Sequence, residues 1–134
     1  MTFSYLEITS KIRRPIIPII IKSSTTVILY SGLIDSGADY CIFSLEIAKK
    51  LGLTLSKKDR ILFVGVGKKQ VKGFWGEIEI RISDKTYVAK VIFAEISEFG
   101  HGILGQKGFF DHFDVALSYQ KQSIDISPLE DKKN

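Results

Sequence analysis

The sequence predicts an all-β domain with one or two short helices, and three observations carry that prediction. Residues 77–82, Glu-Ile-Glu-Ile-Arg-Ile, alternate strictly between charged and apolar, as a strand with one wet and one buried face requires. Residues 123–127, Ser-Ile-Asp-Ile-Ser, repeat the alternation. Residues 16–21 and 27–34 are nearly continuous apolar runs rich in β-branched side chains, the pattern of strands buried on both faces.

The elements follow in chain order. Pro18 removes a ladder donor from the 16–21 strand, which makes it an edge strand or places a bulge in it. The 27–34 strand comes next. Ser44 caps a short helix with Ile47, Ala48 and Leu51 inward, Lys49 and Lys50 in the last turn, and Gly52 as the stop. Residues 65–73, Gly-Val-Gly-Lys-Lys-Gln-Val-Lys-Gly, form a glycine-punctuated hairpin between two apolar strands. The 77–82 strand turns at 83–85 into a strand over 87–94. In residues 105–113, Phe109, Phe110 and Phe113 stand at i, i+1 and i+4, which predicts a second short helix with a phenylalanine core. Gly108 weakens that helix by ~1 kcal/mol relative to alanine. A turn at 119–122 leads to the last strand. Residues 1–129 make one domain, and residues 130–134 a polar tail.

Composition narrows the function. The chain has 134 residues, 45% hydrophobic and 25% charged, which are single-domain globular values. The longest apolar run, residues 15–21, is far below the ~18 residues that span a bilayer. The first fifteen residues carry Glu7, Lys11, Arg13 and Arg14 without an apolar core, so no secretory leader is expected. One cysteine, Cys41, excludes an internal disulfide and any metal site built on several cysteines. Cys41 has no base beside it and reads as a small buried hydrophobe. His101 and His112 read as surface or capping residues. No metal or organic cofactor is expected, and the expected compartment is a reducing cytoplasm. The net charge of +4, from 19 basic and 15 acidic residues, is scattered over several short clusters. A nucleic-acid groove needs a denser basic stripe with interleaved aromatics, so neither nucleic acid nor membrane is an expected partner.

The chemistry concentrates in Leu33-Ile34-Asp35-Ser36-Gly37-Ala38. An apolar strand delivers a carboxylate to the middle of the molecule. Gly37 lets the backbone turn sharply beside it, and Ser36 offers a small hydroxyl. Alone, Asp-Ser-Gly is a common turn. Downstream lie the 65–73 hairpin, suited to act as a lid, and Ile103-Leu104-Gly105 at a strand-to-helix junction. The hairpin does not match G-x-G-x-x-G and opens no helix, which rules out a dinucleotide-phosphate loop.

In this order, catalytic loop, hairpin and apolar pair with glycine resemble the retropepsin-like aspartic proteases, over residues 12–127. The hairpin and the strand after it look most like the protease domain of DNA-damage-inducible ubiquitin-shuttle proteins. Arg14-Pro15 before an apolar strand is similar to the amino-terminal strand of retroviral proteases. The resemblance implies a single-lobe acid-protease barrel and a homodimeric active site. It makes Asp35 one half of a catalytic pair. Ser36, Gly37 and Ala38 complete the active-site loop, with Ser36 hydrogen-bonding across the two-fold axis. It assigns substrate binding to Asp39 and to the flap residues Gly65, Val66, Gly67 and Lys68. Ile103, Leu104 and Gly105 support the loop from behind. Gln106 and Lys107 stand where the retroviral enzymes have an arginine that supports the counterpart of Asp39.

One such loop per chain is half of what the chemistry needs. Peptide hydrolysis by this route takes two carboxylates sharing a proton, one to activate water and one to polarise the carbonyl. Asp111, Asp114 and Asp125 lack the small-residue–glycine turn, so the second carboxylate is expected from a second copy. The expected function is an aspartic endopeptidase acting on peptides or proteins. Its rivals are an inactive peptide-binding or regulatory dimer of the same fold and a basic nucleic-acid-binding β domain.

Overall fold

The computed structural model describes residues 1–64, 69–96 and 100–130. The strands are β1 (Thr2–Ser4), β2 (Leu6–Glu7), β3 (Arg13–Arg14), β4 (Ile16–Lys22), β5 (Val27–Ile34), β6 (Ile42–Ser44), β7 (Arg60–Val64), β8 (Gln70–Ile82), β9 (Lys85–Ala94), β10 (Gly102–Leu104), β11 (Phe113–Ser118) and β12 (Ser123–Pro128). Helix α1 (Leu45–Lys50) follows β6, and a 3-10 turn covers Lys57–Asp59.

The alternating 77–82 segment is the distal half of β8, which pairs antiparallel with β9 from Gly73↔Ala94 to Ile82↔Lys85. Ser83 takes a positive φ of 54° in the tight turn between them. Along the main sheet the order is β4, β5, β10, β6, β9, β8, β7. β4 pairs back onto β8 through Ile20↔Arg81, Ile21↔Ile80 and Lys22↔Glu79, which closes the sheet into a barrel. Pro18 lies before this seam, where its missing N–H interrupts no ladder to β8. Ile17, Ile19, Ile21, Ile78, Ile80 and Ile82 from these strands are buried with Phe43, Phe93 and Leu104. Each such side chain contributes about 1.5–3 kcal/mol by leaving water. A second sheet, ordered β1, β12, β11, adds Ile124, Ile126 and Phe113 to the same core.

Helix α1 forms as its capping residues dictate. The Ser44 hydroxyl accepts from Glu46 N at 3.2 Å. Ile47 and Ala48 are buried, and Gly52 leaves the last turn at φ +72°.

Three expectations are corrected. β5 is not buried on both faces: Val27 and Leu29 are 61% and 75% exposed. A closed barrel has one inner face, and Ile17, Ile19 and Ile21 of β4 lie opposite Gly32, Tyr30 and Ile28, so Leu29 points outward. Residues 105–112 form turns rather than a helix. Gly108 adopts φ +99°, its N–H donates to Asp111 Oδ1 at 2.9 Å, and Phe110 N and Asp111 N reach back five residues to Gly105 O and Gln106 O. Phe109 and Phe113 are nevertheless buried and Phe110 half-buried, as the phenylalanine spacing suggested. Finally, His101 is buried, not a surface residue, and its Nδ1 lies 3.0 Å from the Gly102 carbonyl it donates to. His112 stacks on Tyr87 with ring centroids 4.1 Å apart. Among the described residues no helix is long and apolar enough to cross a membrane.

Candidate active site

Asp35 follows directly on β5. β10 lies parallel against the end of β5, with Gly102↔Gly32, Ile103↔Leu33 and Leu104↔Ile34 in register. Gly32 lets this contact close, since a β-carbon there would lie 2.7 Å from the Leu104 side chain. The ladder runs one step past the strand: Asp35 N donates to Leu104 O at 3.0 Å. The carboxylate is aimed by its own loop. Gly37 N donates to Asp35 Oδ1 at 2.9 Å, and Ala38 N donates to Asp35 O at 3.2 Å. A β-carbon on Gly37 would stand 3.3 Å from that same carboxylate oxygen. Asp35 is half-buried, while Ser36, Gly37 and Asp39 are exposed, so the loop is held from behind and open in front.

The segment behind it is laced to the loop through the backbone. Gln106 N donates to Ala38 O at 2.8 Å, Lys107 N to Asp39 O at 2.9 Å and Cys41 N to Lys107 O at 3.3 Å. Gly105 is buried between these strands of bonds. A β-carbon there would lie 2.7 Å from Ala38 O and closer still to Tyr40 O. Leu104 is fully buried, and Ile103 half-buried. The Ile103-Leu104-Gly105 triplet therefore meets the Asp35 loop directly. Gly105 N also donates to the Cys41 sulfur at 3.4 Å. Burial pushes the Cys41 thiol up to about 12, with the Gly105 N–H opposing and Asp111 adding to the rise. A thiol held neutral in the core is no nucleophile.

In sequence the side chain of Gln106 is legible only as a departure from an arginine. It donates from Nε2 to the Ser36 carbonyl at 2.7 Å, on the main chain of the loop. The Asp39 carboxylate makes no hydrogen bond or ion pair among the described residues. Tyr40 carries no motif signal, yet it meets Trp75 of β8 edge-to-face at 5.0 Å and thereby joins the loop to the hairpin.

The hairpin stem is β7 paired with β8, from Arg60↔Phe74 to Val64↔Gln70. Leu62 and Val64 on it are exposed. Phe74 and Trp75 are half-buried at its base. Gly65, Val66, Gly67 and Lys68 at its tip lie outside the described residues. Among the described residues, no group of three His, Cys, Asp or Glu side chains is placed to hold a metal ion.

The sequence model of the family described as Aspartyl protease matches residues 21–107. Curated protein sequences yield no significant match. Among solved structures the chain is similar to EIAV protease complexed with the inhibitor HBY-793, at 21% identity and TM-score 0.57, covering 73% of this chain and 86% of that one. It is similar to the retroviral protease-like domain of Ddi1 from Leishmania major, at 17% identity and TM-score 0.60, covering 91% of this chain and 100% of the other. A retropepsin-like aspartic protease from Rickettsia conorii aligns at 14% identity and TM-score 0.56, over 92% of this chain and 86% of its own. These likenesses show a retropepsin-like, single-lobe β fold.

Proposed function

This chain belongs to the aspartyl protease family, and on that premise we propose that it is an aspartic endopeptidase whose active site is completed by a second copy of itself. The observation that carries the reading is the setting of Asp35. Its backbone is pinned by Leu104 O and its Oδ1 by Gly37 N, in a loop whose outer side is exposed. A single carboxylate so presented lacks the partner that shares its proton. The Asp35 of a second chain, related by a two-fold axis, supplies it.

In the resulting pair one carboxylate is ionised and the other protonated, because two close like charges resist joint ionisation. The ionised Asp35 takes a proton from water as the water oxygen attacks the scissile carbonyl carbon. The protonated Asp35 donates to the carbonyl oxygen. The resulting gem-diol then collapses: the Asp35 that took the water proton passes it to the amide nitrogen, the C–N bond breaks, and a gem-diol hydroxyl returns its proton to the other Asp35 as the acid and amine products form. Ser36, Gly37 and Ala38 shape the loop, and Ser36 bonds across the axis. Ile103, Leu104 and Gly105 back it. Asp39 and the hairpin tip, residues 65–68, bind the peptide, with the hairpin acting as a flap. A reducing cytoplasm is the proposed setting.

The test is Asp35→Asn. Asparagine keeps the shape and the Gly37 bond but cannot act as base, so peptide cleavage should fall by at least about 10³-fold while the circular dichroism stays native. Cleavage at the wild-type rate would overturn the assignment. The exposed Asp39, with no partner among the described residues, favours one second reading: a dimer that binds peptide without hydrolysing it. Wild-type protein that binds a peptide library without cleaving it would establish that reading instead.

A further inference from the structure

The Ser36–Gly37 peptide unit is held at both ends. Its carbonyl oxygen accepts from Gln106 Nε2 at 2.7 Å, and its N–H donates to Asp35 Oδ1 at 2.9 Å. A trans peptide is planar, with C=O and N–H pointing in opposite directions. A bond that fixes the oxygen therefore fixes the direction of the N–H. The Ala38 N to Asp35 O bond at 3.2 Å closes the turn around this unit but touches neither its C=O nor its N–H; Ser36 and Gly37 are both exposed, and glycine on one side of the peptide leaves its plane free to rotate within the turn. Gln106 is itself well placed to act as an anchor, since its own N–H is tied to Ala38 O and the next residue's to Asp39 O. A hydrogen bond accepted at the oxygen also polarises the peptide and strengthens its N–H as a donor. Glutamine does this without setting a charge beside the catalytic carboxylate.

We propose that Gln106 is a positioning residue for catalysis, which aims Asp35 by locking the Ser36–Gly37 peptide; the catalytic part of this inference rests on the endopeptidase reading. Gln106 is not required to touch substrate. It acts on the rate of the chemical step through one peptide plane, so its loss lowers kcat and leaves KM nearly unchanged.

The experiment compares wild type with Gln106→Met and Gln106→Glu. Methionine keeps the length and removes the donor. Glutamate places an acceptor against the Ser36 carbonyl. Gln106 is exposed, and its main-chain bond to Ala38 O needs no particular side chain, so folding should persist in both variants. Two readouts are taken: steady-state cleavage of a peptide substrate, and amide hydrogen exchange at Gly37. We expect kcat to fall about five- to tenfold in Gln106→Met, further in Gln106→Glu, and Gly37 exchange to quicken in the same order. Unchanged Gly37 exchange in both variants overturns the inference. Faster exchange with unchanged kcat, or a change in KM alone, overturns its catalytic part. If wild type itself cleaves nothing while Gly37 exchange still quickens in the variants, the endopeptidase reading fails and the peptide lock stands.

Discussion

Gly105 is the tightest point behind the Asp35 loop. Any side chain there meets the carbonyl oxygens of Ala38 and Tyr40, which belong to backbone and cannot swing aside. Gly105→Ala should therefore destabilise the protein by about 2–3 kcal/mol. Urea denaturation checks this as a lower midpoint at unchanged slope. Cys41, one bond away, makes the fold sensitive to alkali. Its thiol rises from an ordinary 9.0 to about 12 on burial, so between those values the folded chain holds a proton that the unfolded chain has lost. More protons bound in the native state means that stability is complete below pH 9 and falls as pH rises toward 12. Burial raises the Tyr87 phenol too, which adds to the fall at the upper end. Thermal melts across pH 8 to 11 should show Tm declining. Cys41→Ala should remove part of that slope while lowering Tm at pH 8 through lost packing. An identical slope in the variant would mean that the thiol does not titrate as its burial dictates.

Among the elements, α1 behaves as its sequence signals require. Ser44 satisfies Glu46 N, and the helix has only six residues to share the loss of that bond. Ser44→Ala should cost about 1 kcal/mol, read as a lowered denaturation midpoint. Because α1 carries no part of the Asp35 loop, kcat of folded Ser44→Ala should match wild type. The 105–113 segment teaches the opposite lesson. Its phenylalanine spacing is helical, but Gly108 takes φ +99° and the Asp111 carboxylate bonds back to it. Burial of Phe109 and Phe113 is met by a turn as well as by a helix, so apolar spacing over so short a stretch did not decide between them. The β7–β8 hairpin is joined to the loop through Trp75 and Tyr40, which links any hinge at its base to the residues that flank Asp35.

For the molecule as a whole, the chain presents one Asp35 loop, and β1 is paired within its own chain to β12 through Thr2↔Asp125, Phe3↔Ile124 and Ser4↔Ser123. If each chain holds half a site, activity depends on assembly. Well below the dimer dissociation constant the dimer fraction is proportional to concentration, so a tenfold dilution should lower specific activity about tenfold. Ser36→Trp, at the position the proposed dimer brings against its counterpart, should then bring on that decline at higher concentration. Specific activity that stays constant across a range where sedimentation reports only monomer would rule out a shared site.

Strand positions at 16–21, 77–82, 87–94 and 123–127, the helix after Ser44 and the turns at 83–85 and 119–122 were legible from the chain alone. Period-two alternation, capping chemistry and turn residues act over a few neighbours. The family was legible as well, because its signature is the order of three short motifs along the chain. What needed three dimensions were relations between distant residues. These include the seam between β4 and β8 that closes the barrel, the outward face this gives Leu29, the burial of His101, and the Tyr40–Trp75 contact. The bond from Gln106 to the Ser36 carbonyl spans 70 positions. In sequence Gln106 is merely an exposed polar residue after a glycine. Its role depends on β10 lying parallel beside β5, and no local propensity encodes a parallel pairing between strands so far apart. That pairing is set by which apolar faces the closed barrel can bury together, a property of the whole chain at once.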